Sequence, residues 1–147
     1  MAIRRRRIEG LVEELLAAHG IEEAPVPVEV IAKSRGARIF SPAVSAELRR
    51  MLEGVTQTGG TAAEIQIPGY VLAGKTGTAN KVVNGTYSHT DYYASFVGFA
   101  PAHDPKVEAI VVVDTPQTGQ IYGTEVAAPA WQKIMEFALQ YLGVPPS

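Results

Sequence analysis

Gly69-Tyr70-Val71-Leu72-Ala73-Gly74-Lys75-Thr76-Gly77-Thr78-Ala79-Asn80 is the stretch on which the reading of this 147-residue chain turns. A run of β-formers, Tyr70 to Leu72, leads into two glycines that bracket a lysine and a threonine, with a second threonine following at once. The pattern predicts a strand whose polar end is approached closely by something else. Glycine at 74 and 77 removes side-chain bulk where a backbone or a ligand comes near. Lys75 supplies a point charge, and Thr76 and Thr78 supply hydroxyls to one face, because alternate strand residues share a face. A cation and two hydroxyls at an open strand edge suit a carboxylate.

Downstream of this stretch, Asn84-Gly85 is a hairpin signal, although the polar run from Lys81 to Asp91 suggests a longer connection. Tyr93, Ser95, Val97 and Phe99 alternate with Ala94, Phe96, Gly98 and Ala100, so both faces are small or apolar and the strand is expected to be central. Val107 to Val113, apolar except at Glu108, is expected to be a second buried strand. After a loop from Pro116 to Gly123, Thr124 is expected to cap a last helix that turns Val126, Ala127, Ala130, Trp131, Ile134, Ala138, Tyr141 and Leu142 inward.

Upstream, Ile8, Leu11, Val12, Leu15 and Leu16 recur at helical spacing and Gly20 is a stop signal, which predicts a helix over 4–19. Arg4 to Arg7 read as its solvated first turn rather than a nucleic-acid patch, and His19 as a charge at its C-terminal end. Pro25 and Pro27 mark a break, Val28 to Ser34 a second helix, and Ala37 to Phe40 the start of a strand. Ser41 as N-cap and Pro42 at the first helical position open a third helix that presents Val44, Leu48, Met51, Leu52 and Val55 on one face. The fold class is therefore α+β: an antiparallel meander sheet of three to four strands, packed by N-terminal and C-terminal helices.

Composition narrows the function. A net charge of −2 gives no global pull toward nucleic acid, and the absence of cysteine excludes disulfides and thiolate metal sites. Glu9, Glu13 and Glu14 interrupt any signal-peptide core, and no apolar run approaches a membrane span, so the chain as written is expected in the cytoplasm. His89 with Asp91, and His103 with Asp104, lack a third ligand or a nucleophile at a completing distance and read as loop solvation. Asp114 reads as a turn-initiating residue, and Trp131 as a core anchor. No metal or cofactor is implied.

Lys75-Thr76-Gly77-Thr78-Ala79 resembles the KTGT element of penicillin-binding proteins, the transpeptidases that cross-link bacterial cell wall. The resemblance extends to Ser41-Pro42 through Gln57-Thr58-Gly59-Gly60-Thr61, to Tyr93 through Pro101, and to Trp131 through Met135. It implies that residues 40–147 correspond to the C-terminal part of a class B transpeptidase domain, from a family that is membrane-anchored and acts outside the cytoplasmic membrane. In that family a serine attacks a D-alanyl-D-alanine peptide or a β-lactam, and SxxK, SxN and KTG elements converge. By resemblance, Lys75 ties the strand electrostatically to the nucleophile cluster and Thr76 and Thr78 bind the substrate carboxylate. Gly77 belongs to the same substrate-binding element, and the Thr78 N–H helps form the oxyanion hole.

The other two elements are missing here. None of Ser34, Ser41, Ser45, Ser88, Ser95 or Ser147 has lysine three positions on, or asparagine two positions on. The expectation is a non-catalytic piece with no catalytic residue, whose Lys75 to Thr78 can at most bind. Residues 4–39, with Leu15 to Ile21 and Pro27 to Ala32, resemble the start of the ImmA/IrrE metallopeptidases, but no HExxH is present, so zinc chemistry is not carried over. Two signatures meeting near Ile39 to Ser41 suggest a chimera, divided into a helical segment 1–39 and a transpeptidase-like part 40–147. The expected partners are a second copy across an uncovered sheet face or a complementary transpeptidase fragment. A protein-interaction role for the N-terminal helices is the third reading.

Overall fold

The computed structural model describes residues 2–22 and 27–147, with the backbone alone for 2–9. The expected roles of the Arg4 to Arg7, Ile8 and Glu9 side chains, and the break at Pro25, lie outside the described residues. The chain divides into two compact units, 1–41 and 42–147.

In the first unit, α1 (Ala2–Ala18) and α2 (Val28–Ser34) occupy the two expected helical stretches. The helix α1 closes with Ile21 N–H donating to Leu16 O, and the His19 ring sits between Leu15 O at 2.9 Å and Ser34 Oγ at 2.8 Å. His19 therefore serves the C-terminal carbonyls of α1 and links its end to that of α2. Residues 37–40 form no strand.

The second unit opens with α3 (Pro42–Gly54), followed by β1 (Ala73–Val83), β2 (Thr86–Ala100) and β3 (Val107–Asp114), then α4 (Gly123–Val126) and α5 (Ala128–Tyr141). The strands form an antiparallel meander in the order β1-β2-β3, so β2 is central as expected. The fold is α+β, as its alternating and helical patterns predict.

The expected long connection after Lys81 does not exist. Asn84 and Gly85, with φ of 52° and 80°, make a two-residue turn of the kind whose twist matches the flanking strands. The polar residues on either side belong to the strands, because this end of the β1–β2 arm is largely solvent-exposed.

One face of the sheet holds the core. Ala94, Phe96, Gly98 and Ala100 of β2 face α5, where Trp131, Met135 and Leu139 are fully buried. Phe96 and Trp131 meet edge to face at 4.9 Å, and Trp131 Nε1 donates to Ala109 O. Ile65, Ile67 and Leu72 complete this cluster. Thr56, also buried, donates to Leu72 O at 2.7 Å and pins the end of the α3 loop to the entry of β1.

Four sequence expectations shift here. In α5 the inward repeat is 128, 131, 135 and 139; Ala130, Ile134, Tyr141 and Leu142 are exposed. Taking Trp131 with steps of three and then four reaches Ile134 and Ala138, whereas the helix winds by four and then four to Met135 and Leu139. Thr124 does not cap the final helix, since its hydroxyl donates to Thr61 O, and Ala127 separates α4 from α5. The strand β3 is not buried on both faces: Val107, Ala109, Val111 and Val113 are half-buried, and Glu108, Ile110, Val112 and Asp114 are exposed. A continuous valine run cannot reveal that one face has no cover. Likewise α3 has the expected apolar stripe, yet Val44, Leu48 and Met51 are exposed.

Candidate functional site

Strand β1 begins at Ala73, so Lys75 to Thr78 lie in its first half rather than at its end. They sit on an edge strand, paired through Lys75↔Val97, Thr76↔Phe96, Gly77↔Ser95 and Thr78↔Ala94. The pleat sends Thr76 and Thr78 to one face and Lys75 and Gly77 to the other.

Thr76 and Thr78 line a cleft of 590 Å³ with residues of the 60–64 loop and of the 122–125 turn, which are joined by the Thr124 hydroxyl donating to Thr61 O. Lys75 is not among the lining residues; it is exposed and its Nζ donates to Thr76 O at 2.9 Å. The three groups read from the sequence are thus neighbours on one strand, but only the two threonines line the cleft. Gly77 has a reason inside the chain: a Cβ there would lie 2.6 Å from Ser95 Oγ across the ladder.

Gly123 is the residue that sequence reasoning treated only as the end of a loop. Its N–H donates to Thr78 Oγ1 at 3.3 Å, and a Cβ would lie 2.1 Å from Ser95 O and 2.8 Å from Gly77 O. Only glycine allows the start of α4 to rest directly on the β1 and β2 backbones and form one wall of the cleft. The signal in the sequence was Gly123 following the aromatic Tyr122 after a long polar loop.

A second polar cluster lies on the opposite face, at the far end of β1. The pairing of β1 with β2 shifts between Asn80 and Val82, a bulge that places Lys81 where its Nζ reaches Asp114 Oδ1 at 2.6 Å and Thr115 Oγ1 at 3.2 Å. The ammonium also stands 4.9 Å from the centroid of the Tyr93 ring. The hydrogen bond from Lys81, then that from the Thr115 hydroxyl, holds the Asp114 carboxyl below the usual carboxylate range; the bond to Asp114 raises Lys81 above the usual lysine range. Asp114 is therefore an ion-pair partner rather than a simple turn residue.

The histidines lie apart from the cleft. His89 contributes its carbonyl to the Tyr92 hydroxyl, Asp91 accepts from Ser88 Oγ, and His103 Nδ1 stands 3.8 Å from Glu53. Among the described residues, no group of three His, Asp or Glu side chains could hold a metal ion, and no helix is long and apolar enough to cross a membrane.

The second unit is thus a meander sheet backed by a C-terminal helix, with Lys75 to Thr78 on an edge strand and Thr76 and Thr78 beside a cleft. The family model of the penicillin binding protein transpeptidase domain matches residues 10–136, and the chain belongs to that family. It is 41% identical over 113 residues to the probable peptidoglycan D,D-transpeptidase PenA of Neisseria gonorrhoeae, covering 77% of this chain and 19% of the relative. The PenA of Neisseria flavescens is 36% identical over 130 residues, 88% of this chain and 32% of that protein. Among solved structures, the apo transpeptidase domain of penicillin-binding protein 3 from Burkholderia pseudomallei superimposes with a TM-score of 0.67 at 44% identity, covering 75% of this chain and 33% of that one. The chain thus spans 19% and 32% of the two PenA relatives.

Proposed function

We propose that these residues form the substrate-carboxylate side of a peptidoglycan D,D-transpeptidase site and carry no nucleophile of their own. The observation that supports this most is the placement of Thr76 and Thr78 together on an edge strand, opening into a cleft walled by the Gly123 N–H. An extended peptide with a terminal carboxylate can pair with the β1 edge while the two hydroxyls donate to its oxygens. Lys75, on the other face, contributes positive potential from nearby rather than a direct contact. Covalent catalysis requires an activated hydroxyl, and no serine in these residues carries the SxxK lysine that would activate it.

NMR titration with N-acetyl-D-alanyl-D-alanine tests the reading. Amide shifts are expected at Thr76 to Thr78 and Gly123, and the same peptide amidated at its C-terminus should lose them. Equal shifts from both peptides, or shifts confined elsewhere, would overturn it.

A second reading is favoured by coverage. The solved Burkholderia domain is three times the matched length, and on this reading the chain is the complementing part of a transpeptidase that gains activity with a chain bearing SxxK and SxN. As for residues 1–39, the family match from residue 10, and an alignment of 130 residues to the Neisseria flavescens protein, support an origin within the same family over a junction with an ImmA/IrrE-like segment. The division of the chain at Ser41 is the feature that favours the junction.

A further inference from the structure

Resting on the carboxylate reading of Thr76 and Thr78, we infer that Thr124 is a positioning residue for the cleft. The bond from its hydroxyl to Thr61 O holds the 60–64 loop to the 122–125 turn, and this sets how tightly Thr76 and Thr78 hold a peptide carboxylate.

The loop depends on donors from elsewhere in the chain. Residues 60–66 form neither helix nor strand, so their carbonyls need other partners. Thr61 O accepts from Thr124 Oγ1 at 2.9 Å, Ala63 O from Gln66 Nε2 at 3.0 Å, and Gln66 O from Gln132 Nε2 at 2.6 Å. Thr124 and Gln132 belong to α4 and α5, so the loop hangs from that helical segment at two points. Gln132 holds the end that leads toward β1, and Thr124 holds the end that lines the cleft. Among the described residues no other hydrogen bond joins the 60–64 loop to the 122–125 turn.

Burial keeps the loop folded without this bond. Ala62 and Ile65 lie in the core, and Ala62 N–H donates to Val55 O at 2.9 Å, whereas Thr61 and Glu64 are exposed. Loss of the Thr124 hydroxyl therefore leaves Thr61 O to water and the core intact. What it frees is the placement of one lining segment relative to the other.

The adjacent residue makes that placement matter. Gly123 N–H donates to Thr78 Oγ1 at 3.3 Å, just beyond the usual N–H···O range, so a small drift of the turn breaks the bond. A hydroxyl that accepts from Gly123 keeps its own proton for a ligand oxygen. Once Gly123 withdraws, the Thr78 hydroxyl turns freely, and holding a carboxylate then costs the entropy of ordering it. Gly123 and Thr124 thus brace the cleft from consecutive positions, one toward β1 and one toward the loop. The single proton of the Thr124 hydroxyl is already given to Thr61 O, so its part is support rather than ligand contact.

Isosteric and conservative substitutions separate this role from a merely structural one. Thr124→Val keeps the shape and removes the hydroxyl; Thr124→Ser keeps the hydroxyl. In NMR titration with N-acetyl-D-alanyl-D-alanine, Thr124→Val should bind about three- to tenfold more weakly than the unmodified chain, as the loss of one hydrogen bond implies. Thr124→Ser should restore the affinity. Without peptide, the Gly123 amide should exchange faster in Thr124→Val, while the Trp131 and Leu139 amides keep their protection and the far-ultraviolet circular dichroism is unchanged. Thr124→Ala, which puts no methyl in place of the hydroxyl, should match Thr124→Val in both readouts. Unchanged affinity or unchanged Gly123 exchange in Thr124→Val, or a Thr124→Ser chain as weak as Thr124→Val, would overturn the inference and leave the carboxylate reading standing. No binding by the unmodified chain would overturn both, and loss of the fold in both Thr124→Val and Thr124→Ala would show a structural role instead.

Discussion

Gly123 shows how a single residue sets the geometry of the cleft. Any side chain there runs into the backbone oxygens of Ser95 and Gly77, so Gly123→Ala must push α4 off the sheet. The expected cost is about 3 kcal/mol or more, because the clash is with backbone that cannot rotate away. Urea denaturation should show a lower midpoint, and the Thr78 amide resonance should shift as its neighbour withdraws. Trp131 acts on the other side of the same helix pair. Trp131→Ala removes the ring that meets Phe96 and leaves Ala109 O without its indole donor, for an expected loss of about 3–5 kcal/mol by the same measurement. That Lys75 to Thr78 lie on a strand was legible from residue types alone; that Lys75 does not line the cleft with the threonines was not. The role of Gly123 was not, because a glycine at a loop end has no local signature that tells a turn from a backbone contact far along the chain.

At the scale of elements, the β1–β2 arm depends on its turn and on the Lys81 cluster. Gly85→Ala keeps a left-handed backbone with a Cβ attached and should cost about 1 kcal/mol. Fraying of the arm, read by amide hydrogen exchange at residues 81–90, should increase accordingly. The Lys81 to Asp114 pair makes the arm sensitive to pH in a defined direction. Asp114 titrates lower in the folded chain, so its contribution is fully present above the ordinary carboxylate range and is lost as pH falls through the depressed value. Lys81 titrates higher, so its contribution is present below the ordinary lysine range and disappears as pH rises through the elevated value. Both groups are solvent-accessible, so the effect should be small and weakened by salt. Asp114→Asn should flatten the acid side of the exchange profile for the arm; an unchanged profile would show that the pair is incidental.

Sequence patterning located the elements better than their surfaces. Helical spacing placed α1 and α3, the proline break placed α2, and two small or apolar faces marked β2 as the central strand, because these are local properties. Which apolar face meets another element is a tertiary property. The exposed stripes of α3 and α5 and the outer side of β3 therefore could not be told from buried ones, and a step of three from Trp131 was chosen in α5 where the buried face continues by fours to Met135 and Leu139.

At the scale of the whole molecule, the 42–147 unit has its core under Trp131 and Phe96, on one face of the three-stranded sheet. On the proposed reading these residues supply the carboxylate side of a site, and none of the chain's serines has the lysine three positions on that SxxK requires. Intact-protein mass spectrometry after incubation with a labelled penicillin tests this most directly. The account predicts an unchanged mass, with no label on Ser34, Ser41, Ser45, Ser88, Ser95 or Ser147. A stable acyl adduct on any one of those serines would contradict it.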